Sequence, residues 1–411
     1  MEHNTENRKT NKAVGFPQWP MPAGREIELV TEVVRSGKWW RMSGTMVTEF
    51  EKKFADYHDA KFCLGVTNGT QALELVLAAL GIQSGDEVIV PAFTFISTFT
   101  APMYCNATPV PVDVDKDTFC MLPESFENAI TSKTKAVIPV HMAGHMCDME
   151  QISKIAKKHN ILVIEDAAHA HGASIKGKRP GFYADAATFS FQNGKIMTCG
   201  EGGAVITNSE ELYQELFLLH GVGRPADDKV YRHIVLGTNA RMNEFQAAIL
   251  LAQLERLGEW NQKRSENFCY LNMLLEKVEG INPQKMSPDV TQNPHYMYMF
   301  YYDSSQFGNV SRDKFVECLC EEGIPAFISY PVVSNTEFYR NKDFRGHITL
   351  SRDQEEYYLP NAENIASEVI WLPHYTLLGD MRDVEKIYDT IVALQKDFSR
   401  DYTDKKTSFI G

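Results

Sequence analysis

Residues 161–173 read ILVIEDAAHAHGA, and this stretch decides the fold class. The uninterrupted apolar run Ile161–Ile164 is typical of a buried strand, and two acids follow it directly. In a sheet of parallel strands, ligands bind at the carboxyl ends of the strands, which is where Asp166 would stand. A carboxylate there needs a cationic partner to offset its desolvation, and a protonated pyridine ring is one such partner. The alternatives are an exposed acid at a strand end and a helix N-cap.

Similar runs alternate with helical patterns from about residue 62 onward. This alternation predicts an α/β fold in which helices cover both faces of a large, mainly parallel, seven-stranded sheet. Besides Ile161–Ile164, the predicted strands are Phe62–Val66, Glu87–Val90, Pro109–Val112, Ala136–Val140, Ala187–Phe189 and Ala204–Thr207. The predicted helices between them include Thr70–Leu80, Met149–His159 and Glu210–Leu218, the last capped by Asn208 or Ser209.

A smaller α+β domain is predicted to follow the sheet. The long helical pattern from Glu244 to about Leu275 connects the two parts, and we expect a tail at residues 1–20, a large domain at 21–262 and a small domain at 263–411. Only the first dozen and the last eight or so residues are expected to be loose. The predicted elements of the small domain are the strands Met297–Tyr302 and Glu368–Leu372 and the helices Arg312–Glu322 and Met381–Phe398.

The composition narrows the class of protein. The 411 residues are 44% hydrophobic and carry a net charge of −13, which suits a globular enzyme and argues against a nucleic-acid binder. No stretch is long and apolar enough for a membrane helix, and Met1–Lys12 is too polar for a signal peptide, so we expect a cytoplasmic location. The eight cysteines show no CxxC pair and no zinc spacing, so neither a metal nor a disulfide framework is expected.

A glycine-rich loop after the strand Ala187–Phe189 carries a candidate nucleophile. It reads SFQNGK from Ser190 to Lys195 and is followed by TCGEGG. The glycines allow the backbone to pass close to a bulky ligand, and a lysine held there becomes a Schiff-base nucleophile if its amine is neutral. A solvated surface lysine is the common alternative for Lys195.

Two further segments follow strands in the same way. Thr67–Thr70 opens a predicted helix, so that Gly69 and Thr70 could hold a phosphate, although an ordinary N-cap explains most such sequences. Phe95, in PAFTF, could stack on a planar ring or pack in the core. Together these segments indicate pyridoxal 5′-phosphate (PLP) as the cofactor. They would supply a phosphate cradle, a stacking ring, a partner for the pyridine nitrogen and an amine that binds the aldehyde.

These residues resemble the fold-type I PLP sugar aminotransferases, often called the DegT/StrS type. The resemblance runs from about Trp19 to Leu394 and rests on VTNGTQAL, PAFTF, EDAAHAHGA and SFQNGK...GEGGAV, in family order and spacing. It implies that Lys195 forms the Schiff base and shuttles a proton, that Asp166 pairs with the pyridinium nitrogen and that Phe95 stacks on the ring. It also implies phosphate binding by Gly69, Thr70 and Ser190, and by Asn239 across a homodimer with shared active sites.

His169 departs from the family pattern, because many relatives have glutamine there, near the phenolic oxygen of the cofactor. An imidazole also titrates near neutral pH, so we expect His169 to tune the Schiff base or to assist proton transfer. Trp39 and Trp40, beside Arg41, could frame the substrate entrance or form ordinary packing.

The loops around WP...SGKWWRMSG, PVHMAGH and NPHYMYMF resemble the branch that contains 3-amino-5-hydroxybenzoate synthases and inosose aminotransferases. The expected reaction is amino transfer from glutamate or glutamine to a keto-sugar or ketocyclitol. One alternative is elimination and aromatisation of an aminodehydroshikimate-type ring, with His141, His145 or His295 as acid or base or as structural residues. The other is a non-enzymatic descendant, against which an intact Lys195 and Asp166 argue.

Overall fold

The computed structural model of the chain describes residues 15–345, 350 and 357–408. The predicted loose stretch Met1–Lys12 lies outside the described residues, and so do residues 409–411. The strands are β1 (Phe62–Val66), β2 (Glu87–Pro91), β3 (Thr108–Val112), β4 (Thr134–Val137), β5 (Leu162–Asp166), β6 (Ser174–Ile175), β7 (Ala186–Ser190), β8 (Gly203–Thr207), β9 (Ile281–Pro283), β10 (Val290–Gln292), β11 (Met297–Tyr302), β12 (Phe327–Ile328) and β13 (Val369–Pro373).

Helices follow most of these strands along the chain. They are α1 (Gly24–Ser36), α2 (Met46–Tyr57), α3 (Gly69–Ala79), α4 (Ile96–Tyr104), α5 (Pro123–Asn128), α6 (Met149–His159), α7 (Glu210–His220), α8 (Glu244–Leu275), α9 (Arg312–Glu321), α10 (Glu337–Arg340), α11 (Pro360–Glu368) and α12 (Met381–Ser408). Ser209 caps α7, since its side chain accepts a hydrogen bond from the Leu212 amide at 3.2 Å.

The large sheet has seven strands in the order β1-β8-β7-β5-β4-β2-β3, which confirms the predicted fold class. β8 pairs antiparallel with both β1 and β7, while the pairs from β7 to β3 are all parallel. The strands are apolar on both faces because helices cover both. In β2, for example, Val88 and Val90 face the core beneath α3 and α4, whereas Ile89 faces the core beneath α2 and α8.

A second, smaller sheet lies in the C-terminal part of the chain, in the order β12-β13-β11-β9 with antiparallel pairing throughout. Helix α8 belongs to both cores, since Leu250 packs in the first and Leu271 in the second. The boundary that we place between residues 262 and 263 therefore falls inside one continuous helix. None of the described helices is long and apolar enough to cross a membrane.

Candidate active site

A cavity of about 570 Å³ opens at the carboxyl ends of β1, β2, β5 and β7. These strands point in the same direction, so the loops that follow them meet at one edge of the sheet. Segments far apart in sequence thereby contribute to a single site. Of the residues predicted to bind the cofactor, the cavity is lined by Gly69, Thr70, Phe95, Asp166, His169, Ser190 and Lys195.

Lys195 lies in a turn that begins at the end of β7, and its amide donates to the Gln192 carbonyl at 2.8 Å. Its ammonium nitrogen stands 4.5 Å from the centre of the Tyr296 ring. Burial lowers the pKa of the amine to about 8, and the nearby carboxylate of Asp166 acts in the opposite direction. At neutral pH about a tenth of the amine is therefore neutral, far more than for a solvated lysine, and the neutral form is the nucleophile.

Asp166 is the last residue of β5 and is only 7% exposed. One carboxylate oxygen accepts from the Thr98 hydroxyl at 2.8 Å and the other from the Ala168 amide at 3.1 Å. Among the described residues, no basic side chain forms an ion pair with it. A buried carboxylate that is held by neutral donors fits a cationic ligand group, such as a protonated ring nitrogen.

The first turn of α3 and the end of β7 form a candidate anion site. The Asn68 side chain caps the helix by accepting from the Gln71 amide at 2.8 Å. The preceding backbone groups of Gly69 and Thr70 are at the helix N-terminus, where amides and the helix dipole favour a phosphate. A Cβ on Gly69 would stand 2.8 Å from the Ser190 Cβ, so only glycine lets the helix approach β7 this closely. The Thr70 hydroxyl lies 2.7 Å from that of Ser97.

Phe95 and His169 offer two rings to the cavity. Phe95 precedes α4 and keeps 53% of its surface exposed, a large amount for an aromatic ring at a cavity wall. The His169 ring stacks on Tyr296 with centroids 4.2 Å apart. Burial lowers the pKa of His169 well below its ordinary value. In this pocket the imidazole is neutral at neutral pH, contrary to the expectation that it titrates there.

Asn239 is exposed and does not line the cavity of its own chain. It pairs with Gly221 through an isolated bridge, at the end of a segment that exposes Tyr231 and Leu236. Trp40 also stands apart from the cavity and lines a separate depression of about 130 Å³. Neither residue contributes to the site within one protomer.

The three loop histidines do not line the cavity either. His141 lies 2.8 Å from the Glu165 carboxylate, and the Nε2 of His145 accepts from the Ser287 amide at 3.0 Å. His295 stacks on Phe268 with centroids 3.9 Å apart, and burial lowers its pKa to about 3. Each has structural contacts away from the cavity, so the geometry of this chain does not place them as acid or base for a substrate.

Three residues of the site have no predicted role in the sequence. The Thr98 hydroxyl donates a hydrogen bond to Asp166 and lies 3.0 Å from the Thr94 hydroxyl. The sequence signal for this role is the four-residue spacing of the two threonines around the start of α4. Tyr296 and Tyr330 reach the cavity from the C-terminal part of the chain. No local pattern marks these two tyrosines, because their position depends on how the second sheet packs on the first.

The donor set of the site fits PLP. A helix N-terminus and hydroxyls offer a phosphate cradle, an exposed ring offers a stacking face, and a buried carboxylate without a cationic partner offers a contact for the ring nitrogen. The imidazole of His169 keeps its buried Nδ1 without a hydrogen-bond partner among the described residues. The fold and the site together define the class of fold-type I PLP enzymes.

Comparison with known proteins gives the family. Residues 21–392 match the model of the DegT/DnrJ/EryC1/StrS aminotransferase family. The chain is 43% identical to the 3-amino-5-hydroxybenzoate synthase of Amycolatopsis mediterranei, over 90% of this chain and 94% of that protein. It is 34% identical to the L-glutamine:2-deoxy-scyllo-inosose aminotransferase of Micromonospora echinospora, over 92% and 94%.

A solved structure agrees with these matches. The crystal structure of a 3-amino-5-hydroxybenzoic acid synthase superposes with a TM-score of 0.88 at 40% identity, over 95% of this chain and 100% of that one. The chain therefore belongs to the DegT/DnrJ/EryC1/StrS aminotransferase family. It is a PLP-dependent aminotransferase.

Gly69 provides a test of the phosphate cradle. In Gly69→Ala, the new methyl group presses on Ser190 and displaces the start of α3, so we expect PLP affinity to fall by at least about tenfold. Equilibrium dialysis of the PLP-free protein against PLP measures it. Gly258→Ala, on helix α8, is the control. A Cβ there would meet nothing within 4 Å, so this variant should bind PLP as the wild type does. Wild-type affinity in Gly69→Ala would contradict the cradle.

Proposed function

We propose that the enzyme transfers an amino group from glutamate or glutamine to a ketone of a keto-sugar or ketocyclitol, with Lys195 binding PLP as a Schiff base. The observation that carries this proposal is the buried, partly neutral amine of Lys195 in one cavity with the Asp166 carboxylate. The name of the inosose aminotransferase among the relatives supports the donor and the acceptor. Bound PLP supplies an electron sink for the carbon that carries the amino group.

The proposed roles of the residues follow from their positions. Asp166 keeps the ring nitrogen protonated, because a buried carboxylate favours a cation beside it. Phe95 gives the ring a flat face, and Gly69, Thr70 and Ser190 hold the phosphate. His169 is a neutral hydrogen-bonding group at the cavity wall.

Lys195 has a second role once its amine is free of PLP. Its Nζ then lies in the cavity with a pKa of about 8, low enough for the amine to take a proton from one carbon and return it to another. Tyr330 and Phe95 lie beside each other at the wall, with ring centroids 6.0 Å apart, and help to exclude water from this transfer.

Replacing Lys195 tests the assignment. In Lys195→Ala, we expect turnover to fall by at least about a thousandfold and the covalent attachment of PLP to be lost, since no other residue offers an amine in the described cavity. Borohydride reduction followed by mass spectrometry checks that attachment. The absorbance of the wild type should fade on adding glutamine or glutamate. Lys154→Ala removes an exposed lysine on α6 and should behave as the wild type. Turnover that survives in Lys195→Ala rejects the assignment.

We further propose that the enzyme is a homodimer and that Asn239 completes the phosphate site of the partner. Asn239 is exposed and outside the cavity of its own chain. The segment before it exposes Val230, Tyr231 and Leu236 to 71%, 73% and 97%, and large exposed apolar side chains in one segment are typical of a protein interface.

Mixing two inactive variants tests the shared site. Lys195→Ala and Asn239→Ala each impair both sites of their own homodimer, but a mixed dimer would contain one site with both residues intact. Equal mixing and reassociation should restore up to about a quarter of wild-type activity, the statistical yield for two-fold symmetry. The assay is run at a PLP concentration that does not saturate Asn239→Ala alone. A mixture no more active than its components contradicts sharing.

A second reaction is favoured by one observation. Identity to the 3-amino-5-hydroxybenzoate synthase is 43%, against 34% to the inosose aminotransferase. The second candidate is therefore elimination and aromatisation of an aminodehydroshikimate-type ring on the same PLP. It would use the same cavity and the same Lys195.

The two candidate reactions are distinguished by the compound that the enzyme converts. The PLP-loaded enzyme is incubated with a ketocyclitol and glutamine and, separately, with the aminodehydroshikimate-type compound, and products are identified by mass spectrometry. Under the leading proposal we expect an aminocyclitol, because the amine left on the cofactor after the glutamine step needs a ketone to receive it. Lys195→Ala in both incubations controls for uncatalysed chemistry. Product from the shikimate-type compound alone rejects transamination as the main reaction.

A further inference from the structure

Tyr296 has contacts with both reactive side chains of the cavity. Tyr296 directly precedes β11. Its amide donates to the Ala143 carbonyl at 3.0 Å, and this bond connects it to the loop after β4. Its side chain is 9% exposed and lines the cavity. Its ring stands 4.5 Å from the Lys195 nitrogen and stacks on His169 at 4.2 Å with an interplanar angle of 26°.

His169 depends on this stacking for its orientation. No described residue forms a hydrogen bond with either nitrogen of its ring, and its Nδ1 is buried without a partner. A buried histidine is usually oriented by a hydrogen bond to one ring nitrogen. In this chain the parallel contact with Tyr296 takes that place.

The Tyr296 ring is itself held from a distant part of the chain. His374, after β13, lies nearly parallel to it at 24° with centroids 6.1 Å apart. Trp19 packs edge-on against His374 at 4.5 Å, and its indole N–H donates to the Asn193 carbonyl at 3.0 Å, two residues before Lys195. Segments near residues 19, 296 and 374 thus converge on the loop of the reactive lysine.

From these contacts we propose that Tyr296 is a positioning residue, whose ring holds the Lys195 amine and the His169 imidazole at the cavity wall. The proposal rests on the proposed role of Lys195. The ring face attracts the protonated amine through its quadrupole, while its apolar surface keeps water away. The contacts of Tyr296 with the Lys195 nitrogen and with the His169 imidazole are both made by its ring.

Two substitutions separate the ring from the hydroxyl. Tyr296→Phe keeps the aromatic face, and Tyr296→Leu replaces it with an apolar group of lower volume that has no quadrupole. The measurement is the pKa of Lys195 in the PLP-free protein, from the pH dependence of its acetylation by a small anhydride, followed by mass spectrometry of the Lys195 peptide. This readout requires neither PLP nor activity. The wild-type protein, titrated in parallel, is the reference.

A positioning role and a space-filling role of the Tyr296 ring predict opposite changes in the pKa of Lys195. Loss of the ring removes a favourable interaction of the ammonium, so Tyr296→Leu should lower the pKa of Lys195 by about half a unit to one unit, while Tyr296→Phe leaves it unchanged. If the ring only fills space, its loss admits water and raises the pKa toward that of a solvated lysine. A raised or unchanged pKa in Tyr296→Leu overturns the proposal.

A kinetic measurement follows the same logic in the PLP-loaded enzyme. The single-turnover reaction with glutamine should slow by at least about tenfold in Tyr296→Leu and remain within about twofold in Tyr296→Phe, since phenylalanine restores the support of both side chains. Equal rates in the two variants count against positioning. If the wild type itself does not react with any amino donor, the proposed function fails, whereas the titration of Lys195 still decides the role of Tyr296.

Discussion

The desolvation of one amine is the constraint on which the site depends. Lysine is a nucleophile only when it is neutral, and burial in this cavity brings the pKa of Lys195 down to about 8. The opposing carboxylate of Asp166 limits that shift, so the two groups must be buried together yet not form a direct ion pair. Thr98 makes this possible, because its hydroxyl donates to one Asp166 oxygen and so holds the carboxylate in place without a basic side chain beside it.

The sheet provides the rigidity that such a balance needs. β5 carries Asp166 and β7 leads to Lys195, and these strands are parallel neighbours with Asp166 opposite Thr188. β8 then returns antiparallel between β7 and β1, and Gly203 lets the backbone of Asn68 come close to it. The first turn of α3 and the lysine loop are therefore both held next to strands whose backbones are in direct contact.

Much of this fold is predictable from sequence, because most strands of the large sheet are short, mainly apolar runs that are largely buried. β1 has the predicted bounds, and so do α6 and α8. The antiparallel direction of β8 is not marked locally, since direction depends on the connection and not on composition. The neutral state of His169 and the contacts of Tyr296 and Tyr330 were also not predictable, because burial and inter-sheet packing determine them.

The charge of the cavity bears on which substrates it accepts. Among the described residues that line it, Glu74, Asp166 and Glu201 are acidic and Lys195 is the one basic side chain. An uncharged cyclitol suits such a wall, but the carboxylate of an amino-acid donor, or of a shikimate-type ring, requires a cation that these residues do not supply. In the exposed segment before Asn239, Arg232 is already paired with Asp228 at 3.1 Å. A cation that binds such a carboxylate must therefore come from outside the described residues that line the cavity.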